Sequence, residues 1–432
     1  MNSGIESAIV LGAGRSGLAA EALLVSEGVA VVVVDERTHD EDSVERLCRE
    51  RTFDLGVVSP GFSLQHPWLN RLCDEGVILC SELELGWSRY EGRTVAVTGS
   101  NGKSSTVKWL ADGLERCGNT VGLGGNYGIP ASTLAMTHQR ADWWVLEVSS
   151  FQLETVEAFS PDIAVLLNVR PNHLDRHGDM ESYARVKGRI FGSESVATKV
   201  GVLPQELRDQ YAVELDGVEK VLGVGTDPKA DYIAREGRIW CGDRLVLDLR
   251  NSYFDAPHWL GSSAVAVAAI AEAVGLELAC FEAAARHFKG LAHRFEQVAC
   301  VSGVVFINDS KATNVAALGA AVASCEEGVR LLAGGLLKEA DLSFVKEILA
   351  KKVLKLYVFG NAALSMEAEW GCEIACARFG SMEDAFVEAC REAGAGEVVL
   401  LSPGCASFDQ FESFEERGNR FKALVSRWSE GR

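Results

Sequence analysis

The sequence is short of several things, and each absence removes a class of function. No apolar run in its 432 residues approaches the roughly 18–20 that a membrane span requires, so membrane insertion is not expected. The opening "MNSGIESAIVLGAGRSG" lacks a basic segment followed by a cleavage site, so export is not expected either. Its 12 cysteines form no Cys-x-x-Cys pair and no zinc-like Cys/His spacing. Many sit in contexts such as "VILC", "LAC" and "VAC", where a reduced thiol acts as a small hydrophobe; a cytoplasmic location is expected. Positive charge is scarce: 42 Lys and Arg against 61 Asp and Glu leave a net charge of −19, the wrong sign for a nucleic-acid partner. Internal repeats, low-complexity tracts and long polar linkers are also missing.

What remains is a soluble α/β pattern long enough for two to four domains. Residues 1–91 alternate short apolar runs ("SAIVLGAG", "VAVVVVD", "LGVVSPG", "VILC") with helical stretches, as a Rossmann-like parallel sheet would. Residues 92–290 begin with a glycine turn and continue through "WWVLEVSS", "IAVLLNV" and "YARVKGRIF". The stretch near 200–250 reads as antiparallel β, a small sheet beside the main parallel one. Residues 291–432 form a third α/β unit with strands at "VVFINDS", "VRLLAGG", "KLYVFG" and "EVVLLSPG". Polar clusters follow these strands, and in open α/β sheets ligands collect at the carboxyl ends of strands.

"TGSNGKSS" lies between an apolar strand and a helix. Its glycines Gly99 and Gly102 let backbone N–H groups converge on phosphate oxygens around Ser100 and Asn101. Lys103 would meet the terminal phosphates, Ser104 could hold Mg²⁺, and Ser105 continues into the helix. A plain turn with a capping serine is the alternative. Glu147 ends the strand "WWVLEV", where a buried carboxylate needs a partner, and Mg²⁺ would serve. His173, in "RPNHLDRHG", reads as a structural histidine or a ligand. Lys187, in "ESYARVKGRIF", reads from its pattern as a helix-surface lysine.

Gly12, Gly14 and Gly17 make G-x-G-x-x-G after a strand, and Asp35 closes the next strand 18 residues past Gly17. This is a dinucleotide fingerprint, so an NAD(P)-linked oxidoreductase must be weighed. Such chemistry gives no reason for a second phosphate turn at 99–105.

"TGSNGKSS", "EVSSFQLE", "NHLDRHG", "YARVKGRIF", "HRFE", "NDSKATN" and "LLSPGCASFDQFESFEERGNRF" occur in order, and the chain resembles the Mur ligase superfamily, in its D-glutamate-adding branch. The resemblance implies three domains: an N-terminal Rossmann-like UDP-binding domain, a central P-loop ATPase-like domain and a C-terminal Rossmann-like domain. It implies that ATP phosphorylates the carboxylate of UDP-N-acetylmuramoyl-L-alanine and that D-glutamate attacks the acyl phosphate. By the same resemblance Lys103 contacts ATP, and Ser104 and Glu147 help hold one of two Mg²⁺ ions. His173 is a ligand of the second, and Lys187 reacts with CO₂ to give a carbamate that joins the metal site. Arg294, Asp309 and Lys311, with His293, approach ATP. Thr313, Lys338, Ser407, Phe408 and Phe414 form the D-glutamate pocket. The UDP substrate falls to Gly14, Arg15, Ser16, Gly17, Asp35, Arg37, Asn126 and Ser149. A monomer is expected.

Departures from the family pattern are Asn172 for an acid beside the histidine, Trp259 and Ser262 for asparagines near the adenine, and Glu36 for a hydroxyl near the uracil. Alternatives inside the superfamily are a ligase for another amino acid such as L-glutamate and a folylpolyglutamate-type enzyme; alternatives of another class are the NAD(P)-linked oxidoreductase and a nucleotide-binding regulator without catalysis.

Overall fold

The computed structural model describes residues 4–193, 196–255, 260–326, 328–337 and 341–430. Among these, the strands form a four-stranded, a nine-stranded and a six-stranded sheet and one two-stranded hairpin. The chain divides into two compact units, Met1–Val169 with Glu181–Phe288, and Arg170–Met180 with Lys289–Arg432.

The four-stranded sheet is parallel, in the order Ala30–Val34, Ser7–Leu11, Leu55–Val58, Ile78–Ser81. Strand Ser7–Leu11 has neighbours on both sides, which puts the turn after Leu11 at a topological switch point. The sequence pattern separates this sheet from the next near residue 91, yet the two share one apolar core. Val10, Leu23 and Leu83 pack in the same cluster as Ala96, Trp144 and Leu146. Polar side chains reinforce the junction: Glu84 accepts from the backbone N–H groups of Glu157 (2.7 Å) and Ala158 (2.8 Å), and Glu82 from that of Ser132 (2.6 Å).

The nine-stranded sheet runs Arg244–Asp248, Arg238–Cys241, Tyr232–Arg235, Lys220–Gly225, Val200–Pro204, Ile163–Leu166, Arg93–Thr98, Trp143–Glu147, Val121–Gly125. The antiparallel expectation for 200–250 holds only for its last part. Val200–Pro204 and Lys220–Gly225 are parallel to each other, and only Tyr232–Asp248 turns back on itself. These strands prolong the main sheet instead of forming a second one. Connection length decides this. The tight turns at Glu236–Gly237 and Gly242, all at positive φ, permit only antiparallel neighbours, whereas the longer 205–219 segment allows a crossover. Helix Lys103–Arg116 lies on this sheet, with Trp109 stacked on Phe254 at 4.1 Å and its indole N–H donating to the Phe281 carbonyl at 2.8 Å.

The six-stranded sheet has the order Glu296–Val301, Val304–Asn308, Val398–Leu401, Val329–Gly334, Val353–Phe359, Cys376–Phe379, parallel except for its first strand. The last strand to enter is inserted between two earlier ones, so the loops after Asn308, Gly334 and Leu401 all leave from the same edge.

Candidate active site

Strand Arg93–Thr98 sits between Ile163–Leu166 and Trp143–Glu147, and the glycine turn follows it. Gly99 (φ 153°) and Gly102 (φ 86°) take backbone conformations that favour glycine, and Gly102 is the residue before helix Lys103–Arg116. With no side-chain cap, the first N–H groups of that helix point into the turn, as an anion site requires. The Lys103 ammonium curls back over the loop, donating to the carbonyls of Gly99 (2.6 Å) and Ser100 (2.9 Å). Ser105 is buried on the inner face of the helix.

Glu147 reaches this turn from the adjacent strand. Its carboxylate accepts from the Ser104 hydroxyl and from the Asn126 amide (2.5 Å). Both Ser104 and Glu147 are buried, and their hard oxygen donors suit Mg²⁺. Among the described residues no trio of His, Cys, Asp and Glu could hold a metal unaided, so a site here has to recruit other donors.

Lys187 is buried with 1% exposure, against the surface position its pattern suggests. Helix Met180–Gly188 lies over the phosphate turn, so the inner face of its last turn points at Gly99. The Lys187 ammonium donates to the Gly99 carbonyl at 3.1 Å and lies 4.6 Å from the Tyr183 ring. Burial pushes its pKa well below the usual lysine range, the Lys103 charge pushes the same way, and Glu147 opposes them. That shift favours the free amine, the form that adds to CO₂, and a carbamate there would add oxygen donors beside Ser104 and Glu147. The chemistry of the set therefore fits both Mg²⁺ and the carbamate.

His173 belongs to the segment Arg170–Met180, which packs within the other compact unit. It precedes the short helix Leu174–His177 in a left-handed conformation (φ 55°).

At the first glycine turn, Gly17 is packing glycine: a Cβ there would stand 1.7 Å from the Gly12 carbonyl oxygen. Gly14 faces open space, so a ligand can approach its backbone. Arg15 is exposed and donates to the Gly128 carbonyl, and Ser16 is half-buried. Asp35 accepts from the Ala13 N–H (2.8 Å) and from Arg37 Nε (2.7 Å), which holds its carboxyl far below the usual range. This carboxylate already serves its own loop and Arg37. Ser149 caps helix Ser150–Leu153 in a reciprocal pair with Gln152.

In the C-terminal unit three loops meet. Leu336 and Ala406 exchange backbone hydrogen bonds at 2.9 and 3.0 Å, and the Gly404 N–H donates to the Ala312 carbonyl at 2.9 Å. Asp309 is buried, and burial raises its pKa to about 7 against the Ser402 hydroxyl (2.9 Å), the Phe295 N–H (3.0 Å) and the charge of Arg294. Lys311 lies 3.9 Å over the Phe414 ring, and its N–H donates to the His293 carbonyl at 3.0 Å. Thr313 stands in the same loop as Lys311, and in the loop after Leu401 Ser407 is buried whereas Phe408 is 70% exposed. Lys338 and Trp259 lie outside the described residues.

Residues 97–243 match the family model described as the Mur ligase middle domain, and residues 293–405 match the Mur ligase glutamate ligase domain. A UDP-N-acetylmuramoylalanine–D-glutamate ligase of Koribacter versatilis is 35% identical over 98% of this chain and 97% of its own. The chain belongs to the Mur ligase family. The same-named enzyme of Pasteurella multocida is 33% identical over 96% of this chain and 97% of its own. Among solved structures, the MurF ligase of Thermotoga maritima in complex with ADP superposes with a TM-score of 0.63 at 18% identity, covering 98% of this chain and 95% of that one. E. coli FolC with ADP reaches 0.61 at 20% identity, covering 80% of this chain and 93% of its own. These likenesses establish the Mur ligase fold.

Sequence reading missed one feature of this Mur ligase site. Asn168 pins the phosphate turn from the neighbouring strand: its side chain accepts from the Asn101 N–H (3.0 Å) and donates to the Asn101 carbonyl (3.1 Å). Its backbone carbonyl accepts from the Ser100 N–H at 3.1 Å. The pairing of Thr98 with Leu166 places Asn168 there, a register that spacing along one strand does not reveal.

Proposed function

We infer that this protein is an ATP-dependent ligase that joins D-glutamate to UDP-N-acetylmuramoyl-L-alanine during peptidoglycan precursor synthesis. The relatives sharing about a third of its residues over nearly the whole chain carry this reading. A carboxylate is a poor electrophile, so an oxygen of the alanyl carboxylate takes the γ-phosphoryl group and ADP leaves. The amine of D-glutamate then adds to the acyl carbon. Phosphate departs with that oxygen, the amine loses a proton and the amide remains.

The phosphate turn supports the first step: Gly102 and the uncapped start of helix Lys103–Arg116 offer backbone donors, and Lys103 supplies a mobile positive charge for the transferring group. Ser104, Glu147 and a carbamate on Lys187 would hold Mg²⁺, with His173 assigned to a second ion; the metal would neutralise charge on phosphate and acyl oxygens. The carbamate forms by addition of the neutral Lys187 amine to CO₂ with release of one proton. Asn126 and Asn168 keep Glu147 and the turn in place while this charge moves. The turn at Gly14–Gly17 with Arg37 would receive the UDP moiety, and Arg294, Asp309 and Lys311 the nucleotide. Thr313, Lys338, Ser407, Phe408 and Phe414 would receive the amino acid. We further propose the division into domains 1–91, 92–290 and 291–432, each built on its own sheet, and action as a cytoplasmic monomer; the described cysteines are all free, as a reducing compartment requires.

Phosphate release should require ATP, Mg²⁺, UDP-N-acetylmuramoyl-L-alanine and D-glutamate together. Equal release with L-glutamate would remove the stereochemical assignment, and release without the sugar nucleotide would remove the ligase reading.

A further inference from the structure

Arg417, in the first turns of helix Phe414–Glu430, is fully buried. No carboxylate stands within ion-pair distance of it among the described residues. Its guanidinium instead serves loop oxygens: Nε donates to the Ser310 hydroxyl (3.0 Å), and Nη2 donates to the carbonyls of Ser310 (2.8 Å) and Cys405 (3.1 Å). The Ser310 hydroxyl in turn donates to the Phe414 carbonyl (2.8 Å), closing a ring back to the start of the helix. Nη1 is buried without a hydrogen-bond partner. It faces the third loop, where a Cβ on Gly335 would stand 3.2 Å from it and 2.3 Å from the Ala406 carbonyl oxygen.

Burying an unpaired guanidinium is expensive, and an asparagine could satisfy two carbonyls at less cost. What the guanidinium adds is a planar fork that reaches two loops and a hydroxyl at once, with a fixed positive charge behind them. Burial lowers its pKa only to about 10, so it remains charged at neutral pH. The carbonyls of Ser310 and Cys405 point inward to this fork. Facing outward, they would repel an anionic amino acid.

We propose that Arg417 is a positioning residue for the amino-acid substrate: it draws the Ser310 and Cys405 carbonyls into the interior and fixes the 309–314 and 402–407 loops in the arrangement that receives a dicarboxylic amino acid. This rests on the functional reading above. Arg417 touches no substrate; it acts through Thr313, Ser407 and Phe414.

The test uses the full chain, with phosphate release measured while each substrate is varied in turn. Replacing Arg417→Met should raise KM for D-glutamate by about tenfold or more and leave KM for ATP and for the sugar nucleotide within about twofold. Arg417→Lys, which keeps the charge and loses the fork, should recover part of this. Ser310→Ala should shift the same KM by about threefold. If Arg417→Met does not melt cooperatively, Arg417→Lys and Ser310→Ala decide the matter. Wild-type glutamate KM in folded Arg417→Lys and Ser310→Ala, or an equal rise for all three substrates, would overturn the proposal. Failure of the wild-type chain to use D-glutamate would instead overturn the functional reading, before any variant is made.

Discussion

Lys187 shows how far a residue's role can sit from its sequence signal. Charged side chains flank it on a short helix, and only its resemblance to a family lysine marks it. The structure buries it against the Gly99 carbonyl, where an ammonium is disfavoured. Lys187→Ala should cost about 100-fold or more in turnover, and a short carboxylic acid added to the assay should restore part of it by supplying the missing oxygens. A fully active Lys187→Ala protein would discard the carbamate. Asp309 gives a pH prediction. Its pKa rises from 3.8 to about 7 on folding because burial disfavours the charged form. The folded chain therefore binds this proton more tightly than the unfolded one. The associated stability is complete below about pH 4 and fades as pH rises through about 7. Thermal melts should show the wild type losing ground to Asp309→Asn between about pH 5 and pH 7.5. A constant difference between the two would mean that Asp309 ionises normally.

Among the elements, strands with turn signals at both ends were readable, and so was the phosphate turn, because glycine, lysine and a following helix are local features. Register was not. The parallel pairing of 200–204 with 220–225 and the reach of Asn168 into the turn depend on which strands become neighbours. Close contact between helices was equally hidden. Gly86 lies in helix Glu82–Trp87, and a Cβ there would stand 2.2 Å from the backbone of Ala131, the first residue of helix Ala131–Thr137. Gly86→Ala should destabilise the chain by about 2 kcal/mol or more through forced separation of the two helices, despite alanine's higher helix propensity. Urea unfolding checks this, and an unchanged midpoint would mean that the helices slide apart freely.

For the whole molecule, the acidic charge argued against a nucleic-acid partner and the strand–helix pattern suggested three α/β segments, whereas the core shared by residues 1–91 and the central sheet is visible only in the fold. The G-x-G-x-x-G turn was ambiguous for a physical reason: the same glycines serve dinucleotide binding and tight strand–helix packing. The structure shows Gly17 packing and Asp35 engaged with Arg37. The central claim is that ATP activates the alanyl carboxylate. It is tested most directly by labelling that carboxylate with ¹⁸O and analysing the released phosphate by mass spectrometry. Phosphate should carry one ¹⁸O atom for each amide formed. Unlabelled phosphate accompanying amide formation would contradict the account.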